Sequence, residues 1–410
     1  MMISFRHDDL AQVVIHTANM ISQDWRNLTQ GVWRSPFLPL LPPNSHPAQT
    51  SVPIGSGPRF KHDLLRYLRA YSGRTRDLVN QLENYDFGSV RAAFIASIPS
   101  RVPLNASKQE TSWGWLGLLE VLSSIPSSTE PDQKEQENAV VVSQISSIAT
   151  LSEKWVDNFT DVLSTCKALR TSNKKKAQIR IVFPTAEEIR RSLDGYASGS
   201  SIHMKVQSAA QQKQLQLLRP MMCHWSPDPD SPAGHPLFGA SSPASAAAAA
   251  SAAVDEAEIP RRESHRNRAA PHIKTYVRFR SNAMEVIDWA MLTSANLSQQ
   301  AWGAMAGKDS TIRVCSYEVG VVVWPELFRD RPFDDIDSRE REEEVRMVPV
   351  FGRDEPVAER DAGEGTVIVG LRMPYDLPLR KYGQDEVPWC ATMTHREPDW
   401  MGRIWGGKGS

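Results

Sequence analysis

Two segments of the chain, 277 residues apart, carry the same pattern. Thr17-Ala18-Asn19-Met20 is followed by Trp25 six residues after the Asn, and Ser294-Ala295-Asn296-Leu297 by Trp302, again six after the Asn. Each follows an apolar run, Val13-Val14-Ile15 and Ala290-Met291-Leu292, and each has a Gln in the intervening turn, Gln23 and Gln299. A strand ending on a small residue and an Asn, then a helical turn reaching a Trp, occurs twice. That predicts a duplicated α/β unit, with coincidence as the alternative on these residues alone.

At 410 residues the chain exceeds one ordinary core, so two domains are expected. Strands are predicted at 12–16, 92–98, 139–145, 179–183, 272–279, 286–293, 316–323 and 366–371. Helices are predicted at 62–71, 74–85, 111–122, 153–167 and 186–193. The alternation implies an α/β sandwich with mixed or parallel sheets. Residues 226–258 run through Pro-Asp pairs into an alanine-rich stretch around Ala244 to Ala250 with no apolar stripe to dock, and read as a disordered insert. Residues 330–365 are acidic and read as a solvated loop.

The formal net charge is −1, which at first argues against a nucleic-acid partner. Residues 326–365, however, hold 14 Asp or Glu against 7 Lys or Arg, so the rest of the chain is net basic. That permits phosphate binding without requiring it. Cys166, Cys223, Cys315 and Cys390 are far apart and form no CxxC pair, which points to a reducing compartment, no structural zinc and small buried side chains. No run approaches the roughly 18 apolar residues that span a bilayer. The charged start, with Arg6, His7, Asp8 and Asp9, is not a secretory signal.

Upstream of the second copy stands His272-Ile273-Lys274. In an extended strand, residues i and i+2 share a face, so imidazole and ammonium would sit side by side. Asn296 would add an amide donor from a neighbouring strand. Such a trio suits a phosphoryl group, with one group for nucleophilic or acid work and two for oxyanion charge. His-x-Lys alone fits an incidental surface pair as well.

With its flanks, the trio resembles the tyrosyl-DNA phosphodiesterases of the phospholipase D superfamily. The residues that carry the resemblance are 271–276, Thr293-Ser294-Ala295-Asn296-Leu297-Ser298, Ala301-Trp302-Gly303, Ser316-Tyr317-Glu318-Val319-Gly320 and Pro374-Tyr375-Asp376-Leu377-Pro378. Earlier matches are 14–19, Asp24-Trp25, Thr29-Gln30-Gly31-Val32-Trp33, Leu193-Asp194-Gly195-Tyr196 and His224-Trp225. The resemblance implies two phospholipase D-like α/β sandwich domains related by pseudo-two-fold symmetry, the first incomplete. Residues 1–85 would be the remainder of the first. Residues 86–410 would be the second, with disordered inserts at about 226–268 and 329–365.

It also implies hydrolysis of the bond between a DNA 3′ end and tyrosine through a phosphohistidine, without metal or other cofactor. His272 would be the general acid and base, Lys274 and Asn296 would bind phosphate, and Asn19 would be the Asn of the first set. Gln30 would orient the acid histidine and Glu318 the nucleophile, while Ser147 and Ser298 would touch DNA phosphates. The implied partners are single- or double-stranded DNA with a blocked 3′ end and a topoisomerase-derived peptide, for a monomeric nuclear repair enzyme with exonuclease character and no membrane role.

One departure matters. His272 stands 24 residues before Asn296, and the same spacing from Asn19 falls before Met1. The nucleophile His and first Lys are therefore expected to be missing and the 410-residue chain inactive, the alternative being a catalytically dead module that binds DNA ends. His7, His16 and His224 are read as structural or surface residues, not as replacements. A lipid phosphodiesterase is disfavoured because the Asp that such enzymes carry after His-x-Lys is replaced by Asn.

Overall fold

The computed structural model describes residues 1–42, 52–71, 73–103, 111–126, 139–165, 176–227, 261–306, 311–329, 344–352 and 365–406. Most of the 226–258 insert and Cys166 lie outside them. The chain is a mixed α/β fold. Its main sheet runs in the order Met222–Cys223, Gln178–Val182, Val140–Gln144, Thr275–Phe279, Ile287–Thr293, Glu318–Val323 and Ala93–Ser97. The first three strands are parallel to one another and the rest join antiparallel. A smaller antiparallel sheet holds Met2–Phe5, Leu10–His16, Val32–Arg34 and Leu38–Pro39.

The strand Ala93–Ser97 explains how the two layers hold together. Its residues are buried on both faces, as in a continuous apolar strand inside a sandwich. Ala93 and Ile95 point into the core of the main sheet. Phe94 and Ala96 point into a second core, formed with the small sheet and the helices Gly57–Arg69 and Arg76–Leu82. Period-two alternation thus sends one strand's side chains into both cores, and a boundary after residue 85 falls just before this shared element.

The helix Gly57–Arg69 begins five residues earlier than its apolar pattern suggests. Ser56 caps it by accepting from the Arg59 N–H, and Pro58 sits in the first turn, where its missing donor costs nothing. Phe60, Leu64, Leu65, Tyr67 and Leu68 bury its inner stripe.

The acidic stretch is not loop throughout. Glu344–Val350 is a strand, parallel to Thr366–Arg372 along seven residue pairs and touching Ile287 through Met347. Val345, Met347, Val348 and Val350 are buried, so apolar residues on both faces of the strand override the local charge. Residues 261–268 also pack: Ser264 is buried and donates to Asp376 Oδ1 at 2.9 Å, which corrects the far end of the expected first insert. Of the described cysteines, Cys223 and Cys390 are buried but Cys315 is exposed.

His224 lies between two carboxylates on separate segments. Its Nε2 is 2.9 Å from Glu386 Oε2, and its Nδ1 is 3.4 Å from Glu188 Oε2. Burial alone would lower its pKa, but the two carboxylates outweigh that and raise it to about 9. The folded value exceeds the unfolded one of about 6.5, so the contribution to stability is complete below pH 6.5 and is lost as pH rises through 9. The melting temperature of the wild-type chain should therefore fall by a few degrees more between pH 6.5 and 9 than that of His224→Gln, as read by circular dichroism. Parallel curves would refute this.

Candidate active site

Five chain segments converge at one end of the main sheet. The strand Thr275–Phe279 starts there, with Thr275 opposite Leu292 on one side and Gln144 on the other. Thr293 ends the next strand and Glu318 begins the one after. From the small sheet, Leu10–His16 ends beside them and leads into Thr17 and Asn19.

His272 and Lys274 are not in the strand expected for 272–279, whose ladder starts only at Thr275. The chain changes partners here. Ala270 and Pro271 pair with Leu28 and Thr29, and the His272 N–H still donates to Thr29 O at 3.0 Å. Two residues later Lys274 O accepts from the Thr293 N–H at 3.2 Å. The side chains meet even so. Lys274 Nζ donates to His272 O at 2.6 Å and lies 3.2 Å from Nε2 and 3.3 Å from Nδ1, over the imidazole ring. Both residues are buried, at 5% and 3% exposure.

The ring is oriented from the first half of the chain. Gln30 lies 3.2 Å from His272 Nδ1. Its Nε2 donates to Asp24 O at 2.9 Å, while its Oε1 accepts from Thr17 Oγ1 at 2.8 Å. Both ends of the amide lie 3.2 Å from Nδ1, but its Nε2 is committed to Asp24 O, and Asp24 Oδ2 stands 3.3 Å from the same nitrogen, so acceptors on this side favour the proton on Nδ1. Gly31 permits this approach, since a Cβ there would come within 2.3 Å of Leu292 Cδ1.

Asp24 was not foreseen from the sequence as a site residue. It is 1% exposed, its Oδ2 lies 3.3 Å from His272 Nδ1, and the same oxygen accepts from the Asn19 N–H at 2.8 Å. An aspartate inside a matched turn, next to the Trp, was the available signal.

Asn296 Oδ1 accepts from the Ser146 N–H at 3.1 Å, Ser146 Oγ at 3.2 Å and the Ser147 N–H at 2.9 Å. Its carbonyl is fully used, which leaves the NH2 for a ligand. Asn19 is exposed and is held through its backbone. Ser298 Oγ accepts from the Ala301 N–H at 3.1 Å as a helix cap, so only its proton remains for a phosphate. Glu318 Oε2 accepts from Ser294 Oγ at 2.6 Å. Burial raises the Glu318 carboxyl, opposed by that bond and by Lys274. The two Trp copies differ, with Trp302 at 1% exposure and Trp25 at 51%. His16 is buried with no partner for either ring nitrogen, and His7 is exposed in a turn.

The charges follow from this packing. Burial pulls Lys274 down to about 7, with Asp24 and Glu318 offsetting part of the loss. Burial and then Lys274 hold His272 below its ordinary value, against the pull of Asp24. Near neutrality the histidine is uncharged and the lysine poised. An anion entering the pocket favours the charged form of both, so phosphate binding and proton uptake are linked.

Comparison with known proteins identifies the family of the chain. The family model for tyrosyl-DNA phosphodiesterase matches residues 1–383. A probable tyrosyl-DNA phosphodiesterase of Schizosaccharomyces pombe is 26% identical over 98% of this chain and 76% of its own length. Tyrosyl-DNA phosphodiesterase 1 of Arabidopsis thaliana is 28% identical over 96% of this chain, which spans 59% of that protein. A crystal structure of the yeast tyrosyl-DNA phosphodiesterase superposes with a TM-score of 0.55 at 19% identity, covering 95% of this chain and 75% of that one, and so shares the fold. The chain belongs to the tyrosyl-DNA phosphodiesterase family, a family of phosphoric diester hydrolases with the phospholipase D fold.

Proposed function

We propose that this chain supplies one half of a DNA-repair phosphodiesterase that releases tyrosine from a DNA 3′ end. The observation that carries the reading is His272 with its ring under Lys274 and its Nδ1 against Gln30 and Asp24. In the first step a histidine of the other set attacks phosphorus, forming a P–N bond while the P–O bond to tyrosine breaks. His272, which takes up a proton at Nε2 when the substrate phosphate enters, gives that proton to the departing phenolate oxygen. In the second step His272 takes a proton from water, whose oxygen attacks phosphorus and breaks the P–N bond, leaving DNA with a 3′-phosphate. Lys274 and Asn296 hold the phosphoryl oxygens, and Asp24 stabilises the imidazolium. A nuclear setting and a peptide still attached to the tyrosine belong to the same proposal.

No His-x-Lys stands before Asn19 among the 410 residues. The 410-residue polypeptide alone should therefore bind a 3′-phosphotyrosyl oligonucleotide but turn it over at least ~100-fold more slowly than one extended to carry that motif. Equal turnover from a well-folded sample would place the nucleophile within these residues. Binding without turnover in both would favour the dead DNA-end-binding module.

Leaving-group chemistry tests the role of His272. In the extended enzyme His272→Ala should lose ~100-fold or more on a tyrosine leaving group and far less on an activated nitrophenol, which needs no proton. Equal losses on the two would remove His272 from the acid role.

A further inference from the structure

The chain holds a second His-x-Lys, His203-Met204-Lys205. The strand His203–Met204 runs parallel to Ser147–Ile148, with His203 opposite Ser147. The His203 N–H donates to Ser146 O at 2.9 Å. Met204 is buried, and His203 and Lys205 are exposed. Alternation along the strand therefore turns imidazole and ammonium to the same outer side, with Met204 as the anchor beneath.

This strand is fastened to the active site at several points. Its neighbours Ser146 and Ser147 are the residues whose N–H groups hold Asn296 Oδ1. Ser201, two residues before His203, donates to Asp24 Oδ1 at 3.3 Å, and the other oxygen of that carboxylate faces His272. Gln23 Nε2 donates to Ala197 O at 2.9 Å on the same segment. Positive charge on His203 is felt at His272, where it opposes protonation.

We propose that the His203 imidazole and the Lys205 ammonium form a lip beside the His272 site, which takes a phosphodiester of the DNA strand next to the one that reacts. The inference rests on the proposed function and adds to it a residue pair outside the double His-Lys-Asn set. A DNA phosphate fits better than the peptide side. Ser147, the register partner of His203, lies against Asn296, the amide proposed to bind phosphate, and an ammonium beside an imidazole complements a repeating anion. Lys205 contributes a point charge and His203 a ring N–H donor.

The test is fluorescence anisotropy of the 410-residue chain with a labelled single-stranded oligonucleotide ending in 3′-phosphotyrosine, over a range of salt. The double variant His203→Gln/Lys205→Gln should weaken binding roughly tenfold and flatten the salt dependence by about one unit of slope. His203→Arg/Lys205→Arg should keep both, and Lys213→Ala, which removes an exposed charge on the next helix, should change neither. Lys205→Gln alone, checked by its melting curve, serves if the double variant unfolds. Unchanged affinity and slope in the glutamine variants would overturn the inference while the proposed function stands. Weakening seen only when the tyrosine bears a longer peptide would also overturn it, by placing the pair on the protein side. A wild-type chain that binds the oligonucleotide no better than heparin would remove the proposed function itself, and the inference with it.

Discussion

Lys274 is an ammonium-bearing side chain buried to 3% exposure, folded back over the ring of a histidine two residues earlier. Such a group is tolerated only if its environment compensates it or lets it shed its proton. Both happen here. The backbone carbonyl of His272 accepts from it at 2.6 Å, Asp24 and Glu318 contribute negative charge, and its pKa still falls to about 7. A pocket built this way is under-charged when empty and gains charge when an anion enters. That is the electrostatic behaviour a phosphate site needs, because donors are already placed and no bulk water has to reorganise around them.

The rest of the architecture follows from holding that pair. The two residues lie where the chain leaves a short parallel pairing with Leu28–Thr29 and joins the main sheet, so the pair is placed by both pairings together. Asp24 and Gln30 come from the first layer, while Asn296 and Glu318 come from the second. The shared strand Ala93–Ser97, with one face in each core, ties the layers together. The site is thus a product of long-range packing rather than of one loop.

Much of this was legible in the sequence, for a physical reason. Buried strands such as Val140–Gln144 and Ile287–Thr293 read as β-branched or apolar runs, and the turn from strand to Asn to Trp reads by its spacing. What was lost was lost to context. Glu344–Val350 looked like solvent because charge surrounds it, yet Val345, Met347, Val348 and Val350 within it are buried. The 272–279 segment looked like one strand because sequence carries no sign of a change of partner. Cys315 looked like a core residue and lies exposed.

In the site, His272, Lys274, Gln30, Asn296 and Glu318 were visible through the motif, whereas Asp24 was hidden because its neighbour Trp25 drew the match. His203 repeats the His-x-Lys spacing, but no small-residue, Asn and Trp turn stands near it in the sequence to mark it. The central claim is that the pocket holds an uncharged imidazole beside a poised lysine until phosphate arrives. Nuclear magnetic resonance titration of His272 and Lys274, with and without saturating inorganic phosphate, measures this directly. In the free chain His272 should titrate below its ordinary value of about 6.5 and Lys274 near 7, and phosphate should raise both. Ordinary values for both groups, unmoved by phosphate in the folded chain, would contradict the account.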